Sequence, residues 1–516
     1  MIHELDAARV VGHFKGKSIL ITGSTGFLGK GTSSWRNFVL FSGVTHGLGH
    51  CVVLVEKILR VQPDIRRLFL LVRAADVETA KQRVQNEVTG REIFQVLKEK
   101  HGNGFEDFIE EKVCPLAGDI IYEKLGLCNT ELIELSKQVD IIINGAATTN
   151  FYERYDVAFD THVLGARHIC EFAKKCTNLK MLLHVSTAYV AGEQEGILPE
   201  KPFLMGETLK VGTYLNIESE QNLIKQTSRE LKDNCCSETT EKRTMKELGL
   251  KRAREFGWPN TYVFTKAMGE MLLGQLRGSL PVVIFRPSII TSILKEPLPG
   301  WIEGISRLGN HWLRQVDLVI LLSRPRFNNG RIPGDMVVNA IMVAMVAHSE
   351  EQAQTIYHVT SSLRNPANYD LLSESAHRYF LHNPPCLGKD DKPVRLSRMQ
   401  FFTTLPRFRA YMAIKYKLPL EILRLVNVAL CGAFSRRHHE LSRMYAYIMH
   451  LVELYAPYTL FKGSFDDMNT ERLRAAMNKE QDNNTGYDFC FDPKSIDWDD
   501  YFYRIHIPGV VKYLFD

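Results

Sequence analysis

Ile19-Leu20-Ile21-Thr22-Gly23-Ser24-Thr25-Gly26-Phe27-Leu28-Gly29 is an apolar run that opens directly into glycines at positions 23, 26 and 29. Each glycine of such a turn has a task. The first permits the sharp turn, the second lets a pyrophosphate approach the backbone, and the third allows helix and strand to pack closely, with the phosphates at the helix N-terminus. A glycine motif alone says little, but one that follows the first strand of an alternating pattern specifies a dinucleotide site. Thr22, Gly23, Thr25, Gly26, Phe27, Leu28 and Gly29 are therefore expected to line it.

The alternating pattern follows. Short β-branched runs at 18–22, 68–72, 113–117, 140–144, 180–185 and 281–285 are separated by helical stretches, and most are continuously apolar. Strands covered on both faces read that way, so the fold class is α/β, a Rossmann-type doubly wound parallel sheet. Residues 205–259 are polar and charged, and read as a surface insertion or helical hairpin outside the sheet. After about residue 297 the alternation gives way to mostly helical chain, broken where Pro384 and Pro385 stand together. The expected organisation is a nucleotide-binding domain over 1–300, a substrate-facing connecting region over 301–390 and a smaller, mostly helical C-terminal domain over 391–516. No internal repeat stands out.

Bulk properties narrow the classes further. With 516 residues, 45% hydrophobic, the chain can bury a large core. Its 64 Lys and Arg against 59 Asp and Glu give no sign of a nucleic-acid partner. The ten cysteines form no CxxC pair, so neither a metal site nor a disulfide framework is indicated, and a reducing compartment fits. The first residues lack a signal or transit pattern. No stretch is long and apolar enough to span a membrane. The nearest, 418–434, carries Glu421 and Arg424 and is followed by Arg436, Arg437, His438 and His439. A buried amphipathic helix with a basic end is the preferred reading, and a helix lying on a membrane surface is the alternative.

Arg73, at the end of the second strand, puts a cation where an NAD site usually has a carboxylate, which suits the 2′-phosphate of NADPH. Asp119 and Ile120 follow the third strand, where adenine would lie. Gly145, Ala146 and Ala147 follow the fourth and keep side chains small beside a cofactor. Pro287 and Ser288 close the sixth strand and would border the nicotinamide.

Tyr262 and Lys266 stand at i and i+4, on one face of a helix. A neighbouring ammonium favours phenolate and lowers the tyrosine pKa, so that the phenol can protonate an oxygen as hydride reaches carbon. Thr187, with Ser186 next in line, ends the fifth strand with a hydroxyl able to bind a carbonyl oxygen; capping the following loop is the alternative. His184 and Tyr189 read as packing residues.

Together these residues resemble the extended short-chain dehydrogenase/reductase family. Within it, Lys15 to Gly23, Val55 to Pro63, Gly257-Trp258-Pro259-Asn260-Thr261-Tyr262 through Lys266, Pro299 to Gly304, Phe461 to Asp467 and Ser495 to Phe502 resemble plant alcohol-forming fatty acyl-CoA reductases over nearly the whole chain. The resemblance implies NADPH-dependent reduction of a long-chain or very-long-chain acyl-CoA through an aldehyde to a primary alcohol, with Tyr262 as proton donor, Lys266 on the ribose and Thr187 on the carbonyl oxygen. It also implies wax, suberin or pollen-wall alcohols as products, peripheral membrane association, and the endoplasmic reticulum or, alternatively, a plastid as location.

The chain departs from that pattern in three places. In the family the glycine turn runs straight into the helix that here reads Val53-Leu54-Val55-Glu56-Lys57, whereas this chain interposes about 31–52. A helix displaced from Gly29 would take its dipole and free N–H groups away from the pyrophosphate. His162 stands where the family often has Asn, and 307–331 fits poorly. Two other readings therefore stay open: a folded but catalytically silent variant, and a sister reductase or epimerase acting on sugar nucleotides.

Overall fold

A computed structural model describes residues 4–25, 49–303, 320–322, 330–349, 351–384, 400–477 and 486–515. Among these, seven strands form one parallel sheet: β1 Ser18–Thr22, β2 Arg67–Val72, β3 Val113–Ala117, β4 Ile141–Asn144, β5 Met181–Val185, β6 Val282–Pro287 and β7 Gln354–Val359. Their spatial order is β7-β6-β5-β4-β1-β2-β3. The order reverses between β1 and β4, so a crevice opens at the carboxyl ends of those two strands. β1, β4, β5 and β6 are buried along their whole length, as their unbroken apolar sequences require. Expected and observed strands differ only at their ends.

β7 is the exception. The sheet does not end near residue 300, as the division into 1–300 and 301–390 supposes. A further crossover helix carries the chain to β7, which pairs with β6 over its full length. That helix reads GDMVVNAIMVAMVA and is buried on every side, so it lacks the polar stripe by which an alternating helix is recognised.

The helices that matter for the crevice are α1 Gly49–Val61, α2 Val77–Val84, α3 Ile217–Asp233, α4 Glu238–Glu255 and α5 Thr261–Leu276. α3 and α4 form the expected hairpin outside the sheet, opened by Asn216 and Ser237, whose side chains accept from the backbone N–H groups of Ser219 and Thr240. α5 is nearly all buried and is tied to the end of β5 by Lys266.

The C-terminal region is helical: α6 Leu405–Met412, a five-residue turn Ala413–Lys417, α7 Leu418–Ala429 and α8 Ser435–Thr459. The preferred reading of 418–434 as a buried helix is not what forms. No residue of α7 is buried, because its neighbour is the N-terminal half of α8, which is itself exposed. Only the last turns of α8, from Leu451, enter the core. Among the described residues, three backbone ties fasten the region to the rest: Gln400–Phe402 pairs in parallel with Ile320–Leu322, Gly463–Phe465 pairs in parallel with Gly196–Leu198, and Leu5 bridges to Met477.

Candidate active site

The crevice floor is a polar chain across three strand ends. Thr22 Oγ1 donates to Asn144 Oδ1 at 2.8 Å and accepts from the Ala146 N–H at 3.2 Å. Asn144 Nδ2 lies 3.1 Å from His184 Nδ1. Burial holds His184 well below its usual pKa, so the ring is neutral. With Nδ1 accepting from the amide, the ring proton sits on Nε2, which has no partner among the described residues. His184 is thus more than packing: it extends the floor toward β5.

Gly23 needs to be glycine. Its φ is +78°, and an added Cβ would stand 2.7 Å from the carbonyl carbon of Gly145. Beside it the buried Ser24 hydroxyl has no partner among the described residues. Gly26, Phe27, Leu28 and Gly29 lie outside the described residues, as do most of 31–52 and 307–331. Gly145 stays small for a reason the sequence did not disclose: Cys51, in the first turn of α1, lies against it, 2.5 Å from where a Cβ would be. A third glycine would normally let helix and strand approach here. In this chain the close contact is made by a thiol on the helix and a glycine on the strand. Burial pushes that thiol up to about 12, so it stays neutral.

Arg73 is half-exposed at the end of β2, and its Nε lies 4.0 Å from an Asp119 carboxylate oxygen. Asp119 is drawn above the ordinary carboxylate range by burial. Ile120 is a core residue rather than an open contact: its side chain packs on Gly165, and its carbonyl pairs with His168 Nδ1 at 2.9 Å. Arg83 of α2 went unnoticed in the sequence. It donates to the Arg73 carbonyl at 2.6 Å and reaches Thr25 Oγ1 at 3.4 Å, which ties β2 to the glycine turn. Glu87 pairs with Arg83 through both carboxylate oxygens at 2.8 Å, so Arg73 is the cation that this rim presents.

On the β5 side, α5 places Tyr262 and Lys266 on the crevice. From Thr261 to Leu273, Tyr262 is the one residue that is only partly buried, and its ring stacks on Phe151 with His162 edge-on beside it. Lys266 is buried, and its Nζ donates to the Val185 carbonyl at 2.9 Å. The expectation that Lys266 lowers the tyrosine pKa does not hold in this geometry. Apolar surroundings push the phenol above its ordinary value, and burial draws Lys266 down to about 8. A phenol that keeps its proton is the acid a reduction needs.

Thr187 and Ser186 divide their expected roles. The Thr187 hydroxyl is turned to the loop, near the Pro287 carbonyl at 3.5 Å and the Tyr189 N–H at 3.4 Å, whereas the buried Ser186 hydroxyl has no partner among the described residues. Ser288 is held against β7 through its N–H on the Val359 carbonyl. His162 accepts the Thr148 N–H on Nε2 and meets Thr265 Oγ1 at 2.7 Å through Nδ1, so this neutral ring braces α5 against the loop after β4.

The wall facing Tyr262 comes from far along the chain. Phe151 lies between Tyr262 and Tyr458, with ring centroids 5.7 and 4.6 Å away, and Tyr455 packs beside it. Asn260, which caps α5, donates to the Tyr458 hydroxyl at 2.6 Å. Tyr189 meets Tyr458, Phe461 and Phe465 edge-on. The end of α8 therefore completes an aromatic pocket around the phenol. Among the described residues no group of His, Cys, Asp or Glu has the arrangement of a metal site.

Two "Male sterility protein" family models match, over residues 42–341 and 415–516. The chain is 45% identical to "Fatty acyl-CoA reductase 1" of Arabidopsis thaliana, over 96% of this chain and 97% of that one. It is 43% identical to "Alcohol-forming fatty acyl-CoA reductase" of Simmondsia chinensis, with the same coverage. The chain belongs to the fatty acyl-CoA reductase family. It is an oxidoreductase with a nicotinamide-cofactor domain. Among solved structures, the terminal reductase domain of the myxalamid PKS-NRPS pathway shares the fold at a TM-score of 0.53 and 17% identity, over 99% of this chain and 96% of that one. The reductase domain of a Mycobacterium tuberculosis nonribosomal peptide synthetase does so at 0.53 and 18%, with the same coverage.

The first family match begins at residue 42, beyond the turn at 19–29. Ser42-Gly43-Val44-Thr45-His46-Gly47-Leu48-Gly49 follows the order of Thr22-Gly23-Ser24-Thr25-Gly26-Phe27-Leu28-Gly29, with glycine, threonine, leucine and glycine recurring at Gly43, Thr45, Leu48 and Gly49. This internal repeat was the overlooked signal in the interposed segment. Its last glycine is the first residue of α1.

Proposed function

We propose that this chain reduces a long-chain or very-long-chain fatty acyl-CoA to the primary alcohol with NADPH, releasing CoA. The observation that carries the reading is Tyr262, turned out of an otherwise buried helix stretch into an aromatic pocket, one turn from a lysine anchored on the β5 end. The cradle at Gly23, the Ser24 hydroxyl without a partner among the described residues, and the cation of Arg73 at the rim fit a phosphorylated dinucleotide. Thr22, Gly23, Thr25, Ala146 and Ala147 would hold its pyrophosphate and ribose, Arg73 its 2′-phosphate, and Pro287 and Ser288 the nicotinamide edge.

Each NADPH, when bound, would supply one hydride, so two would be consumed in succession. In the first reduction the thioester carbonyl gains hydride and a proton to become a hemithioacetal, whose C–S bond then breaks to release CoA and leave an aldehyde. In the second, Tyr262 gives its phenolic proton to the aldehyde oxygen as hydride reaches the carbon. Thr187 or Ser186 donates a hydrogen bond to that oxygen, and Lys266 carries the positive charge that steadies the phenolate formed. Tyr455, Tyr458, Phe461 and Phe465 would wall in the acyl chain. Wax or suberin alcohols are the products proposed, and the endoplasmic reticulum, or else a plastid, is the location proposed; a chloroplastic relative of Arabidopsis thaliana, 34% identical, is in keeping with the second.

A second reading is a folded chain that no longer binds its cofactor, favoured by the start of α1 at Gly49 rather than next to Gly29. Purified protein with NADPH and a long-chain acyl-CoA, followed by extraction of alcohols, tests both. Alcohol from the full chain establishes the first. Alcohol only from a version lacking 31–52 establishes the second.

A further inference from the structure

α7 is built inside out for a helix in water. Ile414, Leu418, Ile422, Leu425 and Val428 recur at helical spacing along one face, and their exposure runs from 53% to 74%. A helix at a protein surface normally turns such a stripe to the core and its charges to solvent. Here the half-buried positions are Leu420, Leu423 and Asn427, and the apolar stripe faces out. Leu430 and Phe434 continue the exposed apolar surface around the turn into α8. Scattered exposed apolar residues are ordinary, but a continuous stripe this long marks an interaction surface.

Charge selects the partner. Residues 413–440 hold five Lys and Arg against two carboxylates. Glu421 is paired with Arg424 and Glu440 with Arg436. Lys415, Lys417 and Arg437 have no carboxylate partner among the described residues, so the apolar stripe is flanked by uncompensated cations. No described helix is long and apolar enough to cross a membrane. An apolar face bordered by cations on a helix too short and too charged to span matches the surface of a bilayer that carries anionic lipid.

We infer that the 413–440 hairpin docks this chain on an anionic bilayer surface, with the outer face of α7 set among the lipid headgroups. α8 then runs from that surface to the pocket: its first turn holds Arg436 and Arg437, and its last turns hold Tyr455 and Tyr458 against Phe151. At 25 residues it spans roughly 37 Å. The inference rests on exposure and charge rather than on the proposed reaction, and its test needs no turnover.

The full chain is sedimented with vesicles of phosphatidylcholine alone and of phosphatidylcholine with about one-third phosphatidylserine. The chain is expected to pellet with the anionic vesicles and to be released by high salt. Leu418→Gln/Ile422→Gln/Leu425→Gln should abolish pelleting, and Lys417→Ala/Arg437→Ala should weaken it by roughly fivefold per cation, while both unfold at the wild-type temperature because those side chains are exposed. Equal pelleting of wild type and variants overturns the inference. So does equal affinity for the two vesicle types. A wild-type dimer that binds no vesicles and becomes monomeric in the triple variant would assign the face to a second copy of this chain instead.

Discussion

At the β5 end of the crevice, each functional side chain is held by a direct contact from an element packed against α5. Lys266 is anchored on Val185, Thr265 is braced by His162, and Asn260 both caps α5 and reaches Tyr458. At the β1 end the strand and the helix that serves it are separated by 26 residues of sequence, from Thr22 to Gly49, and meet through Cys51, whose Sγ lies 4.0 Å from the Thr22 carbonyl oxygen and packs on Gly145 beyond β4. The first arrangement is rigid and complete. The second tolerates a long interruption because a parallel strand and its crossover helix are aligned by burial, not by the length of chain between them.

The largest effect expected from this contrast is at the rigid end. Tyr262→Phe should lower kcat by roughly 10²- to 10⁴-fold with little change in melting temperature, measured as alcohol formed from acyl-CoA; full activity would remove Tyr262 from the chemistry. At the β1 end, Arg73→Glu should cut kcat/KM for NADPH by roughly 10- to 100-fold while leaving that for NADH nearly unchanged. A parallel loss with both cofactors would place Arg73 outside the 2′-phosphate site.

A pH profile separates the ends further. Burial lowers Lys266 to about 8, so its ammonium is lost as pH rises through that value, whereas Tyr262 is pushed upward and keeps its proton there. Activity should therefore fall about tenfold per pH unit above about 8, and Lys266→Arg should remove that fall over the same range, because a guanidinium stays charged. The smallest expected effect is structural. Gly145→Ala places a Cβ about 2.5 Å from Cys51 Sγ, which should destabilise the fold by about 1–3 kcal/mol in a denaturant titration. Adding Cys51→Gly should restore most of it; failure to do so would mean that the contact with the Thr22 carbonyl, not the thiol, sets the limit.

Much of this was legible because it is local. Buried parallel strands announce themselves as apolar runs, and the i, i+4 spacing of Tyr262 and Lys266 needs no tertiary information. β7 was missed because the helix before it is apolar all round. The direction of the Tyr262 shift was missed because the sequence shows the lysine but not the rings that exclude water. Phe151, Tyr455 and Tyr458 converge from segments some 300 residues apart, and Arg83 acts through backbone carbonyl and hydroxyl contacts that no motif records. The exposed face of α7 could not be assigned from its periodicity, since an amphipathic stripe looks the same whether it turns inward or outward.

The short parallel pairing of Gly463–Phe465 with Gly196–Leu198 also sets a schedule for folding. Strands β1 to β6 can assemble as they leave the ribosome, but the rings that enclose Tyr262 arrive about 200 residues later, behind a contact of very long sequence separation. Such contacts form late and slowly. During synthesis the chain thus passes through a state with a finished sheet and an open, apolar half-pocket, and that state, rather than the mature protein, is the one most in need of a chaperone.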